Sequence, residues 1–331
     1  MSLLKMLARF ADLPLVRTRD PQAIAQATAV VDVGGVYDYE ALRFDHHQPE
    51  FKGTFSTKYE TLLSSAGLVY KHFGKEIIAS RKPGLGPELL DTVHDYIYAH
   101  FVEAFDAHDN GISAYPPDVK PRFHSPMDIF WQINLLNTKW NAKDTGEAAQ
   151  QTGFTKALAL MTDLFNLYLD HVLEAWLPAR QIVHDALVEV EQKQLLVKKT
   201  KLDSLEADGP ADLDAQSSIL VLPVSCPWKD HLFDSSLPSI AAQILYLVYP
   251  DSASGSWRLQ ACPISPDAFE SRKALPVAWR GARDSDLEAL LGEAGVLDAE
   301  GAIFVHRSGF IGGHKTKQGA VSMAEAAVRF N

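Results

Sequence analysis

The chain has 331 residues, 47% apolar and 22% charged, the make-up of one large or two ordinary globular domains. That excludes a disordered chain, a collagen-like repeat and a coiled-coil rod. The longest apolar runs, such as Ile219 to Val224 and Ile244 to Tyr249, are too short to span a bilayer, so no membrane partner is expected. With 31 basic against 42 acidic residues the net charge is −11. A bulk positive field for coating nucleic acid is therefore missing, and any such contact falls to a local basic patch. Cys226 and Cys262 lie outside any CxxC pair. This argues against a thiolate zinc site and fits a reducing, intracellular compartment with both thiols buried, a single disulfide being the alternative. Met1 to Leu15 lacks the apolar core and cleavage site of a secretory leader. Lys5 and Arg9 there sit on a helical pattern that suits a surface helix better than a targeting helix.

In chain order, residues 2–11 read as the end of a helix closed by Pro14, and Leu15 to Arg17 as a short strand. Asp20-Pro21 starts a turn and short helix over Thr18 to Ala27. Ala29 to Val33 is a β-branched run ending in Gly34-Gly35, the pattern of a buried strand and a sharp turn. Leu42 to Phe44 is a second short strand, running into Asp45-His46-His47. Helical spacing follows over Ser64 to Phe73 and Leu89 to Asp106. Thr152 to Leu196 is the longest helical stretch, with a break expected at Pro178. Strands alternating with helices predict an α/β domain over residues 1–200, a parallel sheet flanked by helices. The polar stretch Asp203 to Gln216, with Gly209-Pro210, reads as a linker. Beyond it, runs at Ile219 to Val224, Ile244 to Tyr249, Trp257 to Ile264 and Ala302 to His306 predict strands. A hairpin turn falls over Asp251 to Ser256, in a smaller α+β domain spanning 217–331.

The residues that carry chemistry stand at strand ends. Asp32 closes one predicted strand; Asp45, His46 and His47 close the next. Asp106 and Asp109 sit where a helix meets a turn. Ligands bind beyond the carboxyl ends of strands in open α/β sheets. Carboxylates and imidazoles gathered there suit Mn²⁺ or Mg²⁺ rather than a thiophilic ion. Asp32 before Gly-Gly reads equally well as a turn residue. Asp109-Asn110-Gly111 makes a good turn on its own, which favours Asp106 as the ligand. Ser64-Ser65-Ala66-Gly67 reads either as a helix N-terminus offered to an anion or as plain capping with close packing. Lys71, His72 and Lys75 share a helical face suited to a nucleic-acid backbone or simply to solvent. Trp279 is expected to pack in the core.

The string VDVGGVYDYEALRFDHHQPEF resembles the signature of the melanocyte-proliferating-gene family, a branch of the DHH phosphoesterase superfamily. LSSAGLVYKHFGKEII, EAFDAHDNGI, LPAR, CPWKDHLF, LPVAWRGARD and FVHRSGFIGG match that family in order, over essentially the whole chain. The resemblance implies a DHH-type α/β fold and a metal-dependent phosphodiesterase, a 3′-to-5′ RNA exonuclease of nucleus or mitochondrion. It also admits a hydrolase of short oligonucleotides or nucleotides. Carried over by motif, Asp32, His46 and Asp106 are the metal ligands, Asp45, His46 and His47 the catalytic residues, and His47 faces the substrate phosphate. The run Ser308 to His314 resembles the glycine-rich loop of the superfamily's C-terminal domain. There Arg307, Gly312, Gly313, His314 and Lys315, with Lys317, would grip the substrate's terminal phosphate, and Arg272, Lys273 and Arg280 would extend the patch. A glycine turn with solvated lysines is the plainer reading of the same stretch. The family also has a first motif of the form His-x-Gly-x-Phe-His-x-Asp-Glu, expected just ahead of Leu3, where this sequence has only Met1 and Ser2. Two expectations follow: an active protein of which this chain is a trimmed part, or a short form that retains binding alone.

Overall fold

The computed structural model describes all residues except 117, 121–127, 205–214 and 331. The single helix expected over residues 2–11 is two, Ser2–Lys5 (α1) and Ala8–Ala11 (α2), because Leu7 between them is extended at φ −91°, ψ 129°. Leu4, Leu7 and Phe10 bury one side of this pair. The strand expected at Leu15 to Arg17 does not form; Val16 is exposed, and no burial rewards pairing there. Asp20 caps Pro21–Gln26 (α3), its carboxylate accepting from the Gln22 N–H at 3.1 Å, and Pro21 fills the first helical position, where no N–H is needed.

Val30–Val31 (β1), Tyr37–Asp38 (β2) and Arg43–Phe44 (β3) form a small sheet in the order β1-β3-β2. β1 and β3 are parallel, Val30 opposite Arg43 and Val31 opposite Phe44. β2 adds an antiparallel edge, Tyr37 opposite Phe44, so the sheet is mixed rather than wholly parallel. Helices follow at Ser65–Arg81 (α4), Pro87–Ile97 (α5) and Glu103–Asp109 (α6), the last two joined by a π-helical turn over Tyr98–Val102. Leu68, Phe73, Ile77 and Ile78 of α4 are buried, as are Val93 and Ile97 of α5, and the two helices pack together. Each burial of such a side chain is worth about 1.5–3 kcal/mol. Ile129–Leu136 (α7), Glu147–His171 (α8) and Leu177–Ser204 (α9) complete this run. The break expected at Pro178 is a π-helical turn over Val172–Trp176, after which Pro178 sits in the opening turn of α9, where its missing N–H costs little.

The chain forms two compact units, Met1–Leu173 and Glu174–Asn331. Of the expected linker, residues 205–214 lie outside the described residues. In the second unit, Ile219–Val221 (β4), Lys229–Phe233 (α10), Pro238–Ala241 (α11), Tyr246–Pro250 (β5), Trp257–Ala261 (β6), Asp284–Glu293 (α12), Ala302–Val305 (β7), Ile311–His314 (β8) and Lys317–Arg329 (α13) follow in order. The sheet runs β4-β5-β6-β8-β7, with β4 and β5 parallel and the rest antiparallel. Strand alternation decides its faces. Tyr246 and Val248 join Leu287, Leu291, Ala320, Met323 and Ala324, whereas Leu247 joins Val183, Leu187 and Val190 of α9 with Leu232 and Ile240. Trp279 is core, as expected. Both cysteines are free thiols; Cys262 is buried, and burial pushes it up to about 11. No described helix is long and apolar enough to cross a membrane.

Candidate metal centre

The parallel pair β1/β3 delivers its chemistry at one edge. The Val30 N–H donates to Leu42 O, and the Asp32 N–H donates to Phe44 O at 3.1 Å. The residues that follow the two strands, Asp32 and Asp45-His46-His47, are thus set side by side. Asp32 takes a left-handed conformation at φ 69°, a strain aspartate tolerates better than most residues, and Gly34 and Gly35 continue the turn at φ 96° and 66°. One ligand atom each from Asp32, His46 and His47 lies within 4.8 Å of the others. His46 Nδ1 is 3.9 Å from Asp32 Oδ1, and its Nε2 is 3.0 Å from Asp109 Oδ2. The His46 ring is nearly buried, while Asp32, His47 and Asp109 are open to solvent. Ser65 Oγ lies 3.2 Å from His46 Nδ1, so the ring is held from both nitrogens.

Asp45 is buried and fully engaged. Its Oδ2 accepts the Gly35 N–H at 2.6 Å, and its Oδ1 accepts from the His47 backbone N–H at 3.2 Å and pairs with His47 Nδ1 at 2.6 Å. Burial raises the Asp45 carboxyl, but these hydrogen bonds outweigh it and hold the group below its ordinary range. The Asp45 hydrogen bond, against a smaller opposing effect of burial, raises His47 above its ordinary value, helped by the charges of Asp45, Asp32 and Asp109. Asp45 therefore orients His47 and favours its protonated form.

Asp106 and Asp109 exchange the places expected of them. Asp106 is wholly buried. Its Oδ1 accepts from Ser64 N–H (2.9 Å), Ser64 O–H (2.7 Å) and Gly67 N–H (3.1 Å), and its Oδ2 from Tyr98 O–H (2.9 Å). Burial raises its pKa, and these bonds oppose the rise. The start of α4 thus holds an anion, but the anion is this carboxylate, and Ser64 also caps the helix. A Cβ at Gly67 would overlap both Asp106 oxygens, which explains a glycine there. Both oxygens of Asp106 are thus engaged by the protein's own donors. Asp109, read from sequence as a turn residue, ends α6 and reaches His46. The turn is real too: Asn110 follows, and Gly111 is left-handed at φ 68°.

In the second unit the expected glycine loop is half strand. Gly312 and Gly313 lie in β8 between β6 and β7, where a side chain at Gly313 would stand 2.8 Å from Arg258 Nη1 and the Phe304 ring. Close packing, not an open anion loop, is what these glycines serve. His314 is fully buried, with α13 so close that a Cβ at Gly319 would overlap its ring. Its Nδ1 accepts the Thr316 N–H at 3.0 Å, which puts the proton on Nε2, a buried donor with no partner among the described residues. Arg307, Lys315 and Lys317 are exposed. Arg272, Lys273 and Arg280 donate to the carbonyls of Ile244, Val328 and Leu275, and of the three Arg280 lies against Gly309 of the glycine stretch. In the first unit Lys71 likewise donates to Thr54 O, Lys75 pairs with Asp91, and His72 bonds the Tyr37 hydroxyl.

The fold and site define an α/β chain with an acid–imidazole cluster at the ends of parallel strands. The chain matches the model described as "Uncharacterised protein family (UPF0160)" over residues 1–207 and 191–328. It is 40% identical to the MYG1 protein C694.04c of Schizosaccharomyces pombe, over 99% of this chain and 92% of that protein. It is 39% identical to the MYG1 exonuclease of Homo sapiens, over 99% and 81%, and 38% identical to the MYG1 protein of Dictyostelium discoideum, over 97% and 89%. No solved structure matches it. The chain belongs to the MYG1 family, which bears out the resemblance read in its motifs.

Proposed function

We propose that the chain is a metal-dependent phosphodiesterase, an exonuclease that trims RNA from its 3′ end, with Mn²⁺ or Mg²⁺ held by Asp32, His46 and Asp109. The convergence of Asp32, His46 and His47 within 4.8 Å, with Asp109 against the far nitrogen of His46, carries this reading. Two carboxylates and imidazole nitrogen form a hard, oxygen-rich donor set that fits such an ion. When bound, the ion polarises a phosphoryl oxygen and supplies a nucleophile at neutral pH. The chain's own groups do the rest. Ser65 fixes the His46 ring and aims Nε2 at Asp109, as outer partners of metal-bound histidines do. Asp45 orients His47 and favours its protonated form, so His47 Nε2–H can neutralise a phosphate oxygen or protonate a leaving oxygen. In the second unit the exposed Arg307 and Lys315 would meet a terminal phosphate, while Gly312 and Gly313 let the strands close around the buried His314.

Nuclease action is supported by the name MYG1 exonuclease carried by the human and mouse relatives. RNA polarity, kinship with DHH phosphoesterases and a nuclear or mitochondrial place rest on the motif resemblance. The net charge of −11 favours a second reading, hydrolysis of short oligonucleotides or nucleotides. The decisive pair of assays uses the protein with Mn²⁺. His46→Ala abolishes cleavage while the thermal melt is unchanged; undiminished cleavage overturns the site. Faster turnover of a dinucleotide than of a strand of about 20 nucleotides selects the second reading.

A further inference from the structure

We infer that Tyr37 and Tyr39 form a stacking platform for an unpaired nucleobase next to the phosphate that meets Asp32, His46 and Asp109. The inference rests on the phosphodiesterase reading and adds what else is recognised: an aromatic base, and not a phosphoester alone. β2 is the edge of its sheet, and the Asp45 N–H donates to Val36 O at 3.1 Å, so the platform is laid beside the strand end that carries the histidines. Tyr37 and Tyr39 are two residues apart and both meet His72. The Tyr37 hydroxyl is 2.7 Å from His72 Nε2, and the Tyr39 ring stacks on His72 at 4.2 Å and 13°. A ladder of rings leads back to the cluster: Tyr37 meets Phe51 edge-on at 5.8 Å, and Phe51 meets His46 at 6.4 Å. Yet Tyr37 and Tyr39 remain 38% and 41% exposed, with Val36 at 48% beside them. Rings fixed in place but left open to solvent offer contact area at little entropic cost.

The charge pattern points the same way. Lys71 and Lys75 on the adjoining helix are engaged by Thr54 O and Asp91, burial lowers the His72 pKa, and the chain carries −11. With Lys75 paired to Asp91 and a net charge of −11, phosphate attraction is partly offset, and base stacking, which any nucleobase can supply, adds affinity for a single strand.

The test uses the full chain with Mn²⁺ and a phosphorothioate-linked RNA of about five nucleotides, resistant to cleavage, with the fluorescent base 2-aminopurine placed at each position in turn. The account expects quenching at one position near the scissile phosphate. It expects about tenfold weaker binding for Tyr39→Leu and for a strand lacking that base, and recovery in Tyr39→Trp. Mn²⁺ affinity should be unchanged in Tyr39→Leu, which also reports that the fold is intact. Equal binding by Tyr39→Leu, equal binding of the base-less strand, or no quenching by the wild type overturns the platform. Should Mn²⁺ bind and RNA be cleaved while Tyr39→Leu behaves as wild type, the platform alone has failed. Should Mn²⁺ not bind, the reading of the site has failed with it.

Discussion

Asp106 and Asp109 lie one turn apart on α6 and have the same side chain, yet they live in opposite surroundings. Asp106 is sealed in the first unit, its oxygens taken by Ser64, Gly67 and Tyr98. Asp109 is open to solvent, 3.0 Å from His46. One carboxylate fastens helix α4 to helix α6 and so places Ser65 against His46; the other is free to meet an ion with His46. The difference teaches that an acidic residue's role is set by how many donors the fold has already turned toward it.

Removing the buried member should show the largest effect. Asp106→Ala strands the donors of Ser64, Gly67 and Tyr98 in the interior, and we expect a loss of about 3–4 kcal/mol in chemical denaturation. A loss below about 1 kcal/mol would break the contrast. Gly67→Ala pushes a methyl group into the same carboxylate and should cost about 1–3 kcal/mol, read in the same way.

Asp106→Asn is milder, because its Oδ1 still accepts from Ser64 and Gly67 while its Nδ2–H can donate to the Tyr98 oxygen. It sharpens the comparison through pH. Burial raises the Asp106 carboxyl above its unfolded value of about 3.9. Stability from this group is therefore full below about pH 4 and is lost as pH rises through the raised folded value. In Asp106→Asn that decline should vanish; midpoints of denaturation compared from about pH 4 upward check it. Asp109→Ala, by contrast, removes one partner of the His46 ring and opens no further buried donor, and should change stability by less than about 1 kcal/mol.

Much of the site's frame was legible. Ala29 to Val33 and Leu42 to Phe44 read as strands from their apolar, β-branched runs, and parallel pairing of their ends follows from the α/β pattern, so Asp32 and His46 could be brought together before any coordinates. The choice between Asp106 and Asp109 was not legible. Asp-Asn-Gly is a strong turn signal, and here the same three residues make both the turn and the reach to His46. Nothing local announces that Ser64 and Gly67, some 40 residues away in sequence, saturate Asp106. Gly312 and Gly313 were read as loop because glycine usually punctuates strands, whereas crowding by Phe304 and Arg258 demands it inside β8. Tyr37 and Tyr39 went unremarked because the polar residues around them mask a two-residue edge strand.

The most direct test of the central claim is calorimetric titration of Mn²⁺ into the wild-type chain, Asp109→Ala and Asp106→Asn. The account predicts binding by the wild type and by Asp106→Asn, and at least about tenfold weaker binding by Asp109→Ala. Wild-type affinity in Asp109→Ala together with its loss in a folded Asp106→Asn would contradict it.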